Sequence, residues 1–360
     1  MIVSNIINNH DSKWMEGTGP FSDIVISSRV RLARNIEDLP FPQHMTEAQA
    51  DEVLNQVAQV LVAKEVRQAI GNLEVVSLRE LSALDRQILV EKHLISPMHA
   101  EQVESGRGLA VRQDEVISIM INEEDHLRIQ CLFSGLQAYE AWEMATKVDD
   151  AVETMLNYAF HERWGYLTAC PTNVGTGLRA SVMLHLPGLV MTNQAQRVLS
   201  TLPQIGLAVR GLYGEGSEAT GNLFQVSNQV TLGPREEELV NNLTSVVRQV
   251  VEQERSARNS LLQNARLMVE DRASRALGLL THARIMNSQE AMSLLSDVRL
   301  GVDLGLLNKV SIKVLNELIV LTRPGYLQKL AGAEMTPTSR DVKRASVIRE
   351  KLEVNNEEDK

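Results

Sequence analysis

Val116-Ile-Ser-Ile-Met-Ile121, Asn122-Glu-Glu-Asp-His126 and Leu127-Arg-Ile-Gln-Cys-Leu-Phe133 follow one another without a gap: two apolar, β-rich runs with an acidic link between them. The pattern predicts an antiparallel hairpin with glutamates at its tip. Further strands are expected at 24–32, 178–186, 207–212 and 223–230. Leu136, Tyr139, Ala151, Met155 and Tyr158 recur at helical spacing, which predicts one long helix over 135–163. Hairpin-like neighbours with helices between them argue for an α+β fold, an antiparallel sheet flanked by helices.

The texture changes at Thr231-Leu-Gly-Pro-Arg-Glu-Glu-Glu238. Gly233 stops one element, Pro234 suits a helix start, and three glutamates favour the positive end of a helix dipole. Beyond it Leu239, Leu243, Val246, Val247, Val250 and Val251 form an apolar stripe. Runs at 274–286, 289–299 and 308–322 repeat the pattern, and Arg323-Pro-Gly325 breaks the last of them. A final helix is expected from about Thr338 or Ser339, ahead of a charged tail expected to fray. The expected organisation is an N-terminal arm over 1–20, a catalytic unit over 21–250 and an all-helical C-terminal domain over 251–360.

The chain of 360 residues is 44% hydrophobic and carries a net charge of -10, an ordinary globular balance. That sign disfavours direct nucleic-acid binding, which needs a basic surface to displace counterions. The acidic excess lies in residues 1–234, with 17 basic and 28 acidic side chains, whereas 235–360 hold 19 and 18. Of the basic residues 26 are Arg and 10 are Lys, a bias toward the side chain that grips phosphate and carboxylate bidentately. Cys131 and Cys170 cannot build a disulfide framework. The start lacks a basic flank with an apolar run, and no stretch reaches the ~18 apolar residues of a membrane span. A soluble, cytoplasmic protein is the expectation.

Arg29 and Arg31, two apart in Ser27-Ser-Arg-Val-Arg31, point to the same face of a strand. Two guanidiniums side by side repel unless an anion lies between them, and a polyphosphate is such an anion. Two solvated arginines on an edge strand are the commoner reading of the pair taken alone. Asn173-Val-Gly-Thr-Gly177 lets the backbone approach a ligand, yet it lacks the Lys-Ser/Thr of a phosphate-binding loop.

In combination these blocks resemble the phosphagen (guanidino) kinase family. Cys170-Pro-Thr-Asn-Val-Gly-Thr-Gly-Leu-Arg-Ala-Ser-Val182 is close to that family's signature, and Asn122-Glu-Glu-Asp-His-Leu-Arg128 is similar to its second block. Ser28-Arg-Val-Arg31, Arg210-Gly-Leu-Tyr-Gly-Glu215 and Val226-Ser-Asn228 fall in the family's order. The resemblance covers roughly 20–250. It implies ATP with Mg2+ held mainly by the nucleotide, and it assigns no protein metal ligand. It casts Arg29, Arg31, Arg128, Arg179 and Arg210 as a phosphate clamp, which suits phosphoryl transfer because that reaction needs mostly positioning and charge stabilisation. It also places Ser27, Ser28, Val30, His93, Ala180, Ser181, Val182, Met183, Gly211, Leu212, Tyr213 and Gly214 along the nucleotide. Glu124 and Glu215 resemble the carboxylates that orient and deprotonate the guanidinium. Glu123 is expected to tune the metal shell through water, and Cys170 occupies the position of the family's reactive cysteine.

Two departures point to one branch. Only about 27 residues precede the Ser28-Arg-Val-Arg31 block, too few for the lid domain of the small-molecule enzymes, and a helical module follows about residue 250. Both features resemble the bacterial protein-arginine kinases, which implies protein substrates with exposed arginines. In that family Arg340, Asp341, Val342, Lys343, Arg344 and Ala345 match an allosteric phosphoarginine-binding motif. An intramolecular Asp–Arg pair on a charged helix face is the bland alternative for the same residues. The resemblance further implies a homodimer, autophosphorylation, an activator protein, a Clp AAA+ unfoldase that degrades marked proteins in the stress response, and a heat-shock repressor as a target. A small-molecule guanidino kinase and a non-catalytic phosphoarginine-binding adaptor are the competing readings.

Overall fold

The computed structural model describes residues 1–101, 106–211, 220–308 and 310–358, with side chains described to 353. Eight strands form one antiparallel sheet: β1 (Val25–Arg34), β2 (Leu73–Ser77), β3 (Gly108–Arg112), β4 (Ile117–Ile121), β5 (Leu127–Ser134), β8 (Leu178–His185), β9 (Leu207–Gly211) and β10 (Leu223–Asn228). Their order is β2-β3-β4-β5-β1-β8-β10-β9, so β1 sits mid-sheet between β5 and β8. A separate two-stranded ribbon joins β6 (Phe160–His161) to β7 (Gly165–Tyr166).

The helices are α1 (Ile2–Asn8), α2 (Glu47–Val62), α3 (Lys64–Ile70), α4 (Ala83–Glu91), α5 (Pro97–Glu101), α6 (Ala138–Glu153), α7 (Pro187–Met191) and α8 (Ala195–Leu199). After the sheet come α9 (Glu236–Asn264), α10 (Arg266–His282), α11 (Ser288–Asp303), α12 (Ile312–Leu321), α13 (Pro324–Ala331) and α14 (Pro337–Glu358). Helix α9 runs unbroken through residue 250. Among the described residues no helix is long and apolar enough to cross a membrane.

Strand alternation divides the sheet into two unlike faces. Register pairs Val30 with Cys131 and Ala180, Leu32 with Ile129 and Leu178, and Ile119 with Ala110 and Ile129. These residues are buried in the main core, covered by α2, α6 and α9. The opposite face carries Leu109, Val111, Met120, Leu132 and Leu223, which belong to a second core. That core is closed by Ile6, Ile7 and Trp14 from the N-terminal segment and by Val320, Tyr326, Leu327 and Val347 from the helical C-terminal part.

The N-terminal arm packs into this core through Val3, Ile6, Ile7, Trp14 and Met15. Lys92, fully buried, donates to the carbonyls of Ile6 at 3.0 Å and Asn9 at 2.9 Å and pairs with the Glu115 carboxylate. A lysine enclosed by acceptors in this way fixes the end of α1 against α4.

Three expectations need correction. The helix expected over 135–163 stops at Glu153: a turn follows, Leu156 is buried from a bend, and Tyr158 is buried where it bridges to Ile36 beside β1. Pro324 not only ends one helix but opens the next, α13, whose first free N–H groups at Gly325 and Tyr326 donate to Glu91 at 2.7 and 3.1 Å. The last helix begins at Pro337 and continues to Glu358, into the tail expected to fray.

Trp14 is 2% exposed and Trp164 is 42% exposed. Trp14→Ala is expected to cost about 3–5 kcal/mol of unfolding free energy in a urea titration, against less than about 1 kcal/mol for Trp164→Ala. Equal losses would show that the N-terminal segment contributes no more than surface chain.

Candidate active site

The five candidate phosphate-clamp arginines gather by register. Arg31 in β1 faces Gln130 in β5 and Arg179 in β8, and Arg29 shares that face two residues earlier. Arg128 lies two before Gln130 on the same face. Met183, four on from Arg179, faces Gln225, which faces Arg210 in β9. Directly opposed residues of antiparallel strands point the same way, so Arg29, Arg31, Arg128, Arg179 and Arg210 stand on one side of the sheet. Ser27, Ser181 and Met183 share it, whereas the side chains of Ser28, Val30, Ala180 and Val182 point to the other. There Ser28 donates to the Gly135 carbonyl at 2.8 Å and accepts the Gln137 N–H at 3.0 Å, locking β1 to the start of α6.

So many cations on one face perturb each other. Burial, with Arg179 and Arg128 adding repulsion, lowers the Arg29 pKa to about 10. Burial and the neighbouring Arg29 push Arg31 well below the usual arginine range. Arg29 donates to Gln225 at 3.2 Å and Arg179 to Ser227 at 3.3 Å. The Nε of Arg31 is buried with no hydrogen-bond partner. An anion with several acceptor oxygens fits this face, because it would both neutralise the cluster and accept that orphan donor.

A cavity of about 360 Å³ opens on the arginine face, lined by Arg29, Arg31, Arg210, Gly211 and His93 among others. A larger one of about 420 Å³ lies beside the N-terminal segment and Glu317 and holds none of the five arginines, so chemistry rather than size assigns the site. His93 occupies a left-handed turn with φ 62° after α4, its ring edge-on to Trp14 at 5.4 Å. Burial, with Arg29 and Arg323 nearby, lowers its pKa to about 3, so the imidazole is neutral at neutral pH. Of the described residues, His10, Asp11 and Glu317 form the one metal-type grouping; none lines the arginine cavity, and Lys351 already sits 3.0 Å from Glu317.

The acidic hairpin tip is held from three sides. Asn122 adopts φ 57° and its side-chain amide donates to Ala50 at 2.9 Å and Gly106 at 2.7 Å. Arg128 binds Glu123 at 2.6 Å with one nitrogen and Glu124 at 2.7 Å with the other. Glu123 is buried and also accepts from Ser96, so it anchors Arg128 directly. Glu124, with 31% of its side chain exposed, is the carboxylate open to an incoming cation.

Asp125, absent from the candidates, links the tip to the cysteine loop: one oxygen accepts the Ala169 N–H at 2.7 Å and the Asn35 amide at 2.7 Å. Cys170 follows, partly exposed, with its sulfur 3.0 Å from the Thr172 hydroxyl. Arg34 is also absent from the list. It is buried against Asp149 at 2.6 Å and beneath the Tyr166 ring at 3.5 Å, where it braces the ribbon ahead of Cys170. Periodicity marks neither residue. Leu212, Tyr213, Gly214 and Glu215 lie outside the described residues.

The C-terminal motif takes the form of the intramolecular pair. Arg344 is buried, donates to the Thr322 and Met286 carbonyls at 2.9 Å each, and pairs with Asp341. Ala345 is core, Val342 is exposed, and Arg340 and Lys343 are half-buried, Arg340 donating to the Met335 carbonyl at 3.4 Å.

Comparison with known proteins agrees with this geometry. The family model "ATP:guanido phosphotransferase, C-terminal catalytic domain" matches residues 52–257, and "Protein-arginine kinase McsB C-terminal domain" matches 266–360. A protein from Desulforamulus reducens named "Protein-arginine kinase" is 56% identical over 352 residues, 98% of each chain. The chain belongs to the protein-arginine kinase family. Another member so named, from Brevibacillus brevis, is 54% identical over 98% of this chain and 99% of its own. Lombricine kinase matches with a TM-score of 0.57 at 26% identity, over 69% of this chain and 71% of that one. The duplicated taurocyamine kinase of Schistosoma mansoni matches with a TM-score of 0.59 at 25% identity, over 66% of this chain and 34% of that longer one. The shared fold is thus the guanidino kinase catalytic fold, and membership in this family makes the chain an ATP-dependent phosphotransferase with a guanidino acceptor.

Burial alone would raise the Glu123 pKa, but Arg128 and Ser96 outweigh it and hold the carboxyl below the usual range. A depressed carboxyl stabilises the fold fully above its ordinary value near ~4.3 and loses that contribution as pH falls through the folded value. Glu123→Gln is expected to cost about 2 kcal/mol at neutral pH in urea unfolding, with the gap to wild type narrowing below about pH 4.3. A gap independent of pH would show that the Glu123 charge does not hold Arg128.

Proposed function

We propose that this protein transfers the γ-phosphate of ATP to arginine side chains within proteins. The observation that carries the reading is Arg128 held between Glu123 and Glu124 at the edge of a five-arginine face, in a chain whose relatives, 54% and 56% identical over nearly their whole length, are named protein-arginine kinases. Arg29, Arg31, Arg128, Arg179 and Arg210 bind and orient the triphosphate and spread the charge that develops as the phosphoryl group moves. Magnesium carried with the nucleotide would supply further neutralisation of the phosphate oxygens.

Glu124 exchanges its partner. In the described state it is bound to Arg128, and an incoming guanidinium offers the same donor geometry. Once phosphate oxygens engage Arg128, Glu124 is released to orient the substrate and to accept the proton lost as the N–P bond forms. Glu215 takes the second carboxylate role on the strength of the family resemblance. The same resemblance supports phosphoarginine sensing around Arg340, and the marking of proteins for a Clp protease under stress.

Incubation with ATP, an unfolded protein and free arginine, followed by mass spectrometry without acid treatment, is expected to find phosphate on protein arginines. Glu124→Ala is expected to lower kcat/KM at least about 100-fold. Phosphate confined to free arginine or to serine would overturn the reading.

A further inference from the structure

The arginine cavity is not built from the sheet alone. Its lining comes from two sides: Arg29, Arg31 and Arg210 stand on strands of the sheet, and Val90, Ile95, Pro97 and Ile319, with Glu91 and Arg323 among them, come from the segments packed over it. A nucleoside triphosphate has two ends to match, because its phosphates seek guanidiniums and its base seeks apolar walls with a few donors. Ile319 lies in α12, and Arg323 lies at the turn between α12 and α13, so the helical C-terminal part supplies one wall of the cavity.

The Arg323 side chain is braced rather than mobile. Its Nε donates to the Ile319 carbonyl at 3.1 Å, and one terminal nitrogen lies 3.8 Å from the Met292 sulfur. Its backbone is fixed on both sides. The Thr322 carbonyl accepts from Arg344 at 2.9 Å, and Glu91 accepts the N–H groups of Gly325 and Tyr326. Glu91 ends α4 two residues before His93, so one carboxylate holds the Arg323 turn against the His93 turn. Burial lowers the Arg323 pKa to about 10, which leaves it charged at neutral pH.

We propose that Arg323 is a nucleotide-contacting residue contributed by the helical C-terminal part, acting with Ile319 at the base end of the bound nucleoside triphosphate rather than at its phosphates. A planar, donor-only cation beside an apolar wall can cover a purine face and donate to ring nitrogens. The inference rests on assigning this cavity to ATP and goes beyond it, because it makes nucleotide affinity depend on the helical C-terminal part.

Calorimetric titration of the full chain with MgADP and, separately, with inorganic tripolyphosphate tests the proposal. Arg323→Ala is expected to raise the MgADP Kd about tenfold and Arg323→Lys by less, with tripolyphosphate affinity unchanged. Ile319→Trp, which fills the cavity from the same wall, is expected to weaken MgADP but not tripolyphosphate, and it carries the test should Arg323→Ala fail to fold. Arg29→Ala is expected to weaken both ligands. MgADP binding at wild-type strength in both Arg323→Ala and Ile319→Trp would overturn the inference, as would an equal loss of tripolyphosphate in Arg323→Ala. Absence of MgADP binding to the wild-type chain would instead overturn the assignment of the cavity to a nucleotide.

Discussion

Like-charge repulsion on one sheet face is the constraint around which the rest is arranged. Two guanidiniums about 6 Å apart repel by about 3 kcal/mol at the effective dielectric of a partly buried site. The face tolerates them because its neighbours absorb charge without filling the space. Glu123 and Glu124 neutralise Arg128, and Gln225 and Ser227 offer acceptors to Arg29 and Arg179. The reverse side of the same strands is mostly apolar, with Val30, Ala180 and Val182 fully buried and Ser28 satisfied by backbone partners. The sheet can therefore hold a strained electrostatic face because its other face supplies the cohesion. What remains uncompensated, the buried Arg31 Nε above all, is what a polyanion would satisfy.

The second core explains why residues far apart in sequence meet at the site. It lies on the arginine side of the sheet and joins Leu132 and Met120 to Trp14, Leu321 and Tyr326. An apolar layer on that side must be covered, and the elements that cover it are the N-terminal segment, α4 and the helices from α12 to α14. Trp14 thereby reaches the His93 ring, and the α12–α13 turn reaches the cavity wall. The helical part completes the same core that carries the catalytic face, so it is no appendage joined by a linker.

Much of this was legible where local rules suffice. The 116–133 hairpin could be read because both strands are apolar runs, of which Ile117, Ile119, Ile129 and Cys131 enter one core. Strands β2 and β3 were not anticipated, since Leu73-Glu-Val-Val-Ser77 and Gly108-Leu-Ala-Val-Arg112 are short runs with no marked alternation. Residues 154–158 keep helical spacing while folding as a turn and then a bridge to Ile36, because apolar spacing reports burial and not the backbone that achieves it. Within the site, alternation puts Arg29 and Arg31 together. Bringing Arg128, Arg179 and Arg210 to them requires strand register, which motif resemblance supplied and periodicity could not. Arg323 looked like punctuation, its neighbours Pro324 and Gly325 marking a helix break and hiding its position in space.

The Asp341–Arg344 pair sets terms for any phosphoanion bound at α14. Arg344 already has two carbonyls and one carboxylate as acceptors, and a buried guanidinium gives up such partners only for better ones. A phosphorylated guanidinium offers both halves of the exchange, phosphate oxygens for Arg344 and a cation for Asp341, whereas inorganic phosphate offers only the first and leaves Asp341 without a partner. An anion alone would meet the full cost of opening that ion pair, which is the physical argument for a phosphoguanidinium over bare phosphate in the sensing role proposed above. The Nε of Arg344 holds the Thr322 carbonyl, next to Arg323, while another of its nitrogens pairs with Asp341, so the turn at the arginine cavity and the ion pair on α14 share one buried side chain.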